Sequence, residues 1–90
     1  MPGGNLGAGD PWVAIIVGRG STSQLHGAWL VNGYGILEST RTTVTNIETA
    51  SYCSITINNS SISISNSHTA NALFVYVLEL TSYGFTYTIT

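Results

Sequence analysis

Apolar and polar residues alternate most cleanly in ASYCSITINNSSISISN, residues 50–66. Cys53, Ile55 and Ile57 are separated by single Ser or Thr residues, and Ile62 and Ile64 repeat the pattern. A period of two marks a strand buried on one face. Between the two runs, Asn58-Asn59-Ser60-Ser61 supplies residues that tolerate the left-handed conformations of a tight turn. The stretch therefore predicts a β-hairpin, and parity limits its register. One even register pairs Ile55 with Ile62 and Cys53 with Ile64; the other pairs Ile57 with Ile62 and Ile55 with Ile64. Both keep the isoleucines on one face, whereas an odd register without a bulge would set Ile against Ser.

The same pattern divides the rest of the chain. Pro11 holds Asp10 extended, and the run Trp12 to Val17 is apolar at every position, as in a strand covered on both faces. Gly18-Arg19-Gly20-Ser21-Thr22 then breaks it. A phosphate cradle would need a following GK[ST] and a helix, and neither is present, so this is a hairpin turn. From Gln24 to Val31, Leu25, Gly27, Trp29 and Val31 share one face, and His26, Ala28 and Leu30 the other. Asn32-Gly33 is the strongest two-residue hairpin signal in the chain, so Tyr34 to Glu38 is expected to leave it as a new strand. Glycines 27, 33 and 35 mark places where an aromatic ring or another backbone lies close. Ser39 to Asn46, STRTTVTN, has Val44 as its sole apolar residue and reads as an edge strand, with Ile47-Glu48-Thr49 linking it to the central hairpin. After a polar loop, Ala72 to Leu80 is apolar on both faces, and its Phe-Val-Tyr-Val centre favours a central strand over a helix. Tyr83, Phe85, Tyr87 and Ile89 alternate with small residues and should face inward. About eight short strands without an amphipathic helix predict an all-β fold, a small antiparallel sandwich or jelly roll.

Ninety residues suffice for one domain, taken as residues 11–90 behind a glycine-rich arm, residues 1–10. Charged residues are only 7% of the chain, there is no lysine, and the net charge is −2. The charges, Asp10, Arg19, Glu38, Arg41, Glu48 and Glu79, are scattered, so no basic patch offers itself to nucleic acid. A surface so poor in charge must be covered by Ser, Thr, Asn and Gly, or by copies of itself. Both Trp12 to Val17 and Ala72 to Leu80 carry apolar groups that one thin sandwich cannot bury on two sides. Self-association is the expectation, as a homotrimer or helical polymer. The apolar run after Pro11 is too short for a membrane span, and the start lacks the basic region of a signal peptide. A chain released where it is made is expected, reaching a virion surface or extracellular assembly without an export signal.

Catalytic chemistry finds little footing. Cys53, His26 and His68 have no orienting acid at a recognisable spacing. The histidines lack the i, i+2 or i, i+4 companions of a metal site, and a single cysteine makes neither a disulfide nor a zinc centre. No catalytic, metal or cofactor residue is assigned, and no cofactor is expected. Of the aromatic residues, any that lie outward beside Asn, Ser and Thr are suited to stack on sugar rings. Trp29 and Tyr34 are the sugar-binding candidates, against the plainer reading of core or subunit interface. The overlapping N-x-[ST] sequons at Asn58 and Asn59 read more simply as turn residues.

The portion from Thr42 to Leu80, with TASYCSITINNSSISISNSHTANALFVYVLEL at its heart, resembles the β modules at the ends of phage tail fibres and in other phage surface or decoration proteins. It shares a Tyr-containing strand, a short Asn/Ser turn, an ISISN strand, a small polar loop and an FVYVLEL-like strand, over less than half the chain. The glycine-tyrosine ending of such modules is echoed loosely by Ser82-Tyr83-Gly84, and no binding residue transfers. The resemblance implies an uncharged, β-rich, self-assembling particle component. Its partners would be copies of itself, other capsid or tail proteins, and a cell-surface glycan. The alternative is a carbohydrate-binding, lectin-like or receptor-binding module.

Overall fold

The computed structural model describes residues 10–35, 37–59, 61–68, 71–80 and 85–90. Among these residues seven strands form two facing sheets: β1 (Pro11–Gly20), β2 (His26–Tyr34), β3 (Thr42–Ser51), β4 (Cys53–Asn58), β5 (Ser61–Asn66), β6 (Leu73–Glu79) and β7 (Thr86–Ile89). The larger sheet has the order β3-β2-β1-β6 and the smaller β4-β5-β7. Every pair in the larger sheet is antiparallel. The sole helical element among the described residues is a 3-10 turn at Ser39–Arg41. The fold is thus an all-β sandwich, as the alternation predicts.

The hairpin of β4 and β5 takes the second of the two even registers. Ile57 faces Ile62, Ile55 faces Ile64, and pairing runs on to Asn58 with Ser61. β7 adds to the other side of β5 in parallel, from Ser61 with Thr86 to Ile64 with Ile89. Thr90 extends this pairing, donating to the Ile64 carbonyl at 3.0 Å and accepting from the Asn66 amide at 2.9 Å. A parallel pair needs a crossover, and β6 provides it by passing through the opposite sheet. The smaller sheet is therefore mixed, where an antiparallel arrangement was expected.

β1 and β2 form the first hairpin, with Arg19 opposite His26 and the chain turning through residues 21–25. The Gly20 amide closes this loop on the Leu25 carbonyl at 2.8 Å. Trp12, Ala14 and Ile16 of β1 and Gly27, Trp29 and Val31 of β2 point into the sandwich. They meet Ile62, Ile64 and Cys53 from the smaller sheet, with Leu25 and Leu37 sealing the ends. Trp12 is fixed by its indole N–H, which donates to the Gly35 carbonyl at 3.2 Å, and by the edge-on ring of Phe85.

Several expectations need correction. Asn32-Gly33 is no hairpin turn: both residues lie inside β2, paired with β1 on one side and β3 on the other. Gly33 is required because a Cβ there would stand 2.5 Å from the Arg41 carbonyl oxygen and 2.8 Å from the Trp12 ring. The strand ends at Tyr34, and Gly35, at φ 68°, turns the chain away. Ile47-Glu48-Thr49 is no linker but part of β3, which runs to Ser51 as an edge strand. β1 is covered on one face only, and β6 is an edge strand instead of a central one. Of the last alternating run, Phe85 and Tyr87 pack against the core while Ile89 is exposed. Tyr83 and residues 1–9 of the expected arm lie outside the described residues.

Candidate assembly surface

Strand alternation gives the larger sheet a second, outward face. On β1 it consists of Val13, Ile15 and Val17, and on β2 of Ala28 and Leu30. On β6 it consists of Phe74, Tyr76 and Leu78, exposed by 51, 56 and 57%. Register places these groups in rows. Leu78 lies opposite Ile15 and Ile15 opposite Leu30; Tyr76 lies opposite Val17 and Val17 opposite Ala28. The two strands whose sequences were apolar on both faces are neighbours, so their uncovered sides merge into one surface. With two half-exposed aromatic rings and five or six aliphatic groups, it measures on the order of 500 Å², at the upper end of what a soluble monomer leaves open.

Charge is confined to one end of this face. Arg19 sits opposite Phe74 on one side and His26 on the other. His26 Nδ1 contacts Glu48 Oε1 at 2.8 Å. Between Phe74 and Leu78 no ionisable carboxylate or cation interrupts the apolar rows.

The groups considered for chemistry lie elsewhere. Cys53 is buried, its thiol donating to the His26 carbonyl at 3.1 Å. Burial pushes the thiol pKa up, with nearby Glu48 adding to the effect against a backbone hydrogen bond from Ser51. A thiol held protonated is a packing group and a poor nucleophile. His68 belongs to a loop network in which its amide donates to Asn66 Oδ1 at 2.8 Å and Asn71 lies 3.2 Å from its ring nitrogen. Its ring meets Tyr52 edge-on. Tyr52, at φ 59°, is the single residue between β3 and β4, and its carbonyl accepts from both the amide and the hydroxyl of Ser67. Among the described residues no three His, Cys, Asp or Glu side chains converge as metal ligands would. No helix among them is long and apolar enough to cross a membrane.

The two sugar-binding candidates lie on opposite faces of β2. Trp29 is 2% exposed, its ring packed over Gly27, and presents no surface to a ligand. Tyr34 is exposed, with the Arg41 guanidinium carbon 5.6 Å from its ring centre. The sequence marks Trp12 to Val17 and Ala72 to Leu80 as carrying more apolar surface than a thin sandwich buries, but not that Phe74, Tyr76 and Leu78 lie outward on an edge strand beside β1. No family model, curated protein or solved structure matches the chain.

Proposed function

We propose that this chain is a non-enzymatic structural subunit that assembles with copies of itself, as a virion surface, fibre or decoration component or as a filament subunit. The observation that carries this reading is the open apolar face of β1 and β6, centred on Tyr76. Water contact with such a face is unfavourable, and a net charge of only −2 offers little repulsion between copies. The virion setting rests on the resemblance of Thr42 to Leu80 to phage β modules. Association carried by apolar burial persists when salt shortens the Debye length to about 3 Å at 1 M. Light scattering of the native chain at low and at 1 M salt tests this: oligomers of unchanged mass are expected, and a monodisperse monomer at micromolar concentration would overturn it.

The alternative, a glycan-binding module, is favoured by one feature. Tyr52 exposes half its ring beside Asn66, Ser67, His68 and Asn71, a combination suited to stacking on a sugar and hydrogen-bonding its hydroxyls. Binding on a glycan array that is lost in Tyr52→Ala would transfer preference to this reading.

A further inference from the structure

Among the described residues the two open sheets have four edges, and three of them are guarded. β3 is studded with Thr43, Thr45, Asn46, Glu48 and Thr49, and its pairing with β2 is interrupted by register shifts around Ala28. β4 carries Ser54, Thr56 and Asn58 on alternate positions, and β7 is four residues long. Polar side chains, bulges and shortness are the usual means of discouraging edge-to-edge pairing. β6 is the least protected of the four, with one charged residue at its end. Its seven residues, LFVYVLE, are regular against β1 and uncharged from Leu73 to Leu78.

The hydrogen-bonding parity of this edge follows from its neighbours. The Leu80 amide donates to the Val13 carbonyl at 3.0 Å, and the Gly35 amide to the Asp10 carbonyl at 2.8 Å. Antiparallel ladders alternate, so even-numbered residues of β6 bond to odd-numbered residues of β1. The amides and carbonyls of Leu73, Val75, Val77 and Glu79 then point away from the sheet. Among the described residues no strand pairs with them.

We infer that β6 pairs antiparallel with β6 of a second copy about a twofold axis at Tyr76, joining two four-stranded sheets into one of eight. This rests on the self-assembly reading and specifies one of its contacts, with a twofold in place of the expected threefold or helical symmetry. The register is fixed by three considerations. A centre at Tyr76 is the one that uses the whole strand Leu73–Glu79, matching Val75 with Val77 of the partner copy and Leu73 with Glu79. It makes Tyr76 a non-hydrogen-bonded pair with its own copy, as parity demands, and every outward amide and carbonyl meets a partner. It also sets Phe74 across from Leu78, an aromatic-aliphatic pair, and keeps the two Glu79 carboxylates at opposite ends, where a centre near Glu79 would oppose like charges. Edge pairing supplies backbone hydrogen bonds and contacts between the flanks of the two strands, and does not itself cover the open apolar face. The pairing also aligns the apolar faces of both copies on the same side of the joined sheet.

The test uses the whole chain and three variants. Tyr76→Cys places thiols on strands whose Cα atoms are about 4.5 Å apart in a non-hydrogen-bonded pair, within disulfide reach. Under mild oxidation it should cross-link to a dimer at least tenfold faster than Val44→Cys on the β3 edge. Val77→Pro deletes an outward amide and leaves the ladder to β1 intact, so circular dichroism should stay native while the dimer dissociation constant rises at least tenfold. Oligomers that cross-link equally at both positions and tolerate Val77→Pro would overturn the edge pairing and leave self-assembly standing. A monomeric parent chain at micromolar concentration would overturn both.

Discussion

A methyl group on Gly27 would stand 2.7 Å from the Trp29 ring and 3.0 Å from the Cys53 sulfur, and one on Gly33 would press on the Arg41 carbonyl. Neither neighbour is the free end of a flexible chain, so strain must move a tryptophan or a backbone. By contrast, a methyl on Gly18 meets the tip of Leu73 at 3.3 Å, which can give. Gly27→Ala and Gly33→Ala are each expected to cost about 1–3 kcal/mol, Gly18→Ala less. At about 4–8 °C per kcal/mol for a domain of this size, thermal unfolding at matched concentration would separate them. The sequence signalled that glycines 27 and 33 admit close neighbours, but not which. Asn32-Gly33 looked like a turn because glycine serves both turns and close approaches, and only the position of Trp12 decides between them.

At the level of elements, β7 is tied to the opposite sheet by the Tyr87 hydroxyl, which donates to Glu79 Oε2. Burial first, then this hydrogen bond and the nearby negative charge, raise the Tyr87 pKa well above the ordinary phenol range. The folded chain therefore keeps a proton that the unfolded chain releases near pH 10. Stabilisation from this proton is complete below that pH and is lost as pH rises toward the folded value. Urea midpoints should fall above about pH 10, and Tyr87→Phe should make that fall shallower than in the parent at each pH. Cys53, also raised, contributes with the same sign and is common to both chains. The hairpin of β4 and β5 was legible because its partners are adjacent in sequence and parity leaves few registers. The parallel place of β7 was not, since nothing local in TYTI distinguishes a partner across the turn from one two strands earlier.

Over the whole molecule, stability should be graded from the centre of the larger sheet outward. β1 and β2 are bonded on both sides and carry both tryptophans, whereas β3, β4, β6 and β7 are edges. Hydrogen exchange in dilute solution should be slowest at Ile16 and Val31 and faster at Val75 and Val77, whose amides face outward; equal protection of all four would contradict the strand order. That order is a property of long-range pairing. The sequence showed two strands with more apolar surface than a sandwich can bury, but their adjacency, and so the open face, emerges only when β6 docks beside β1. The parallel docking of β7 on β5 carries a consequence for refolding. The β4–β5 hairpin can close within microseconds, while β7, about 25 residues further along the chain, must return across a longer loop to cover its other side. Until it does, the chain presents SISIS with one side bare, and the β7 of a neighbouring chain fits it as well as its own. Yield of correctly closed subunits on dilution from denaturant should therefore fall as the chain concentration rises.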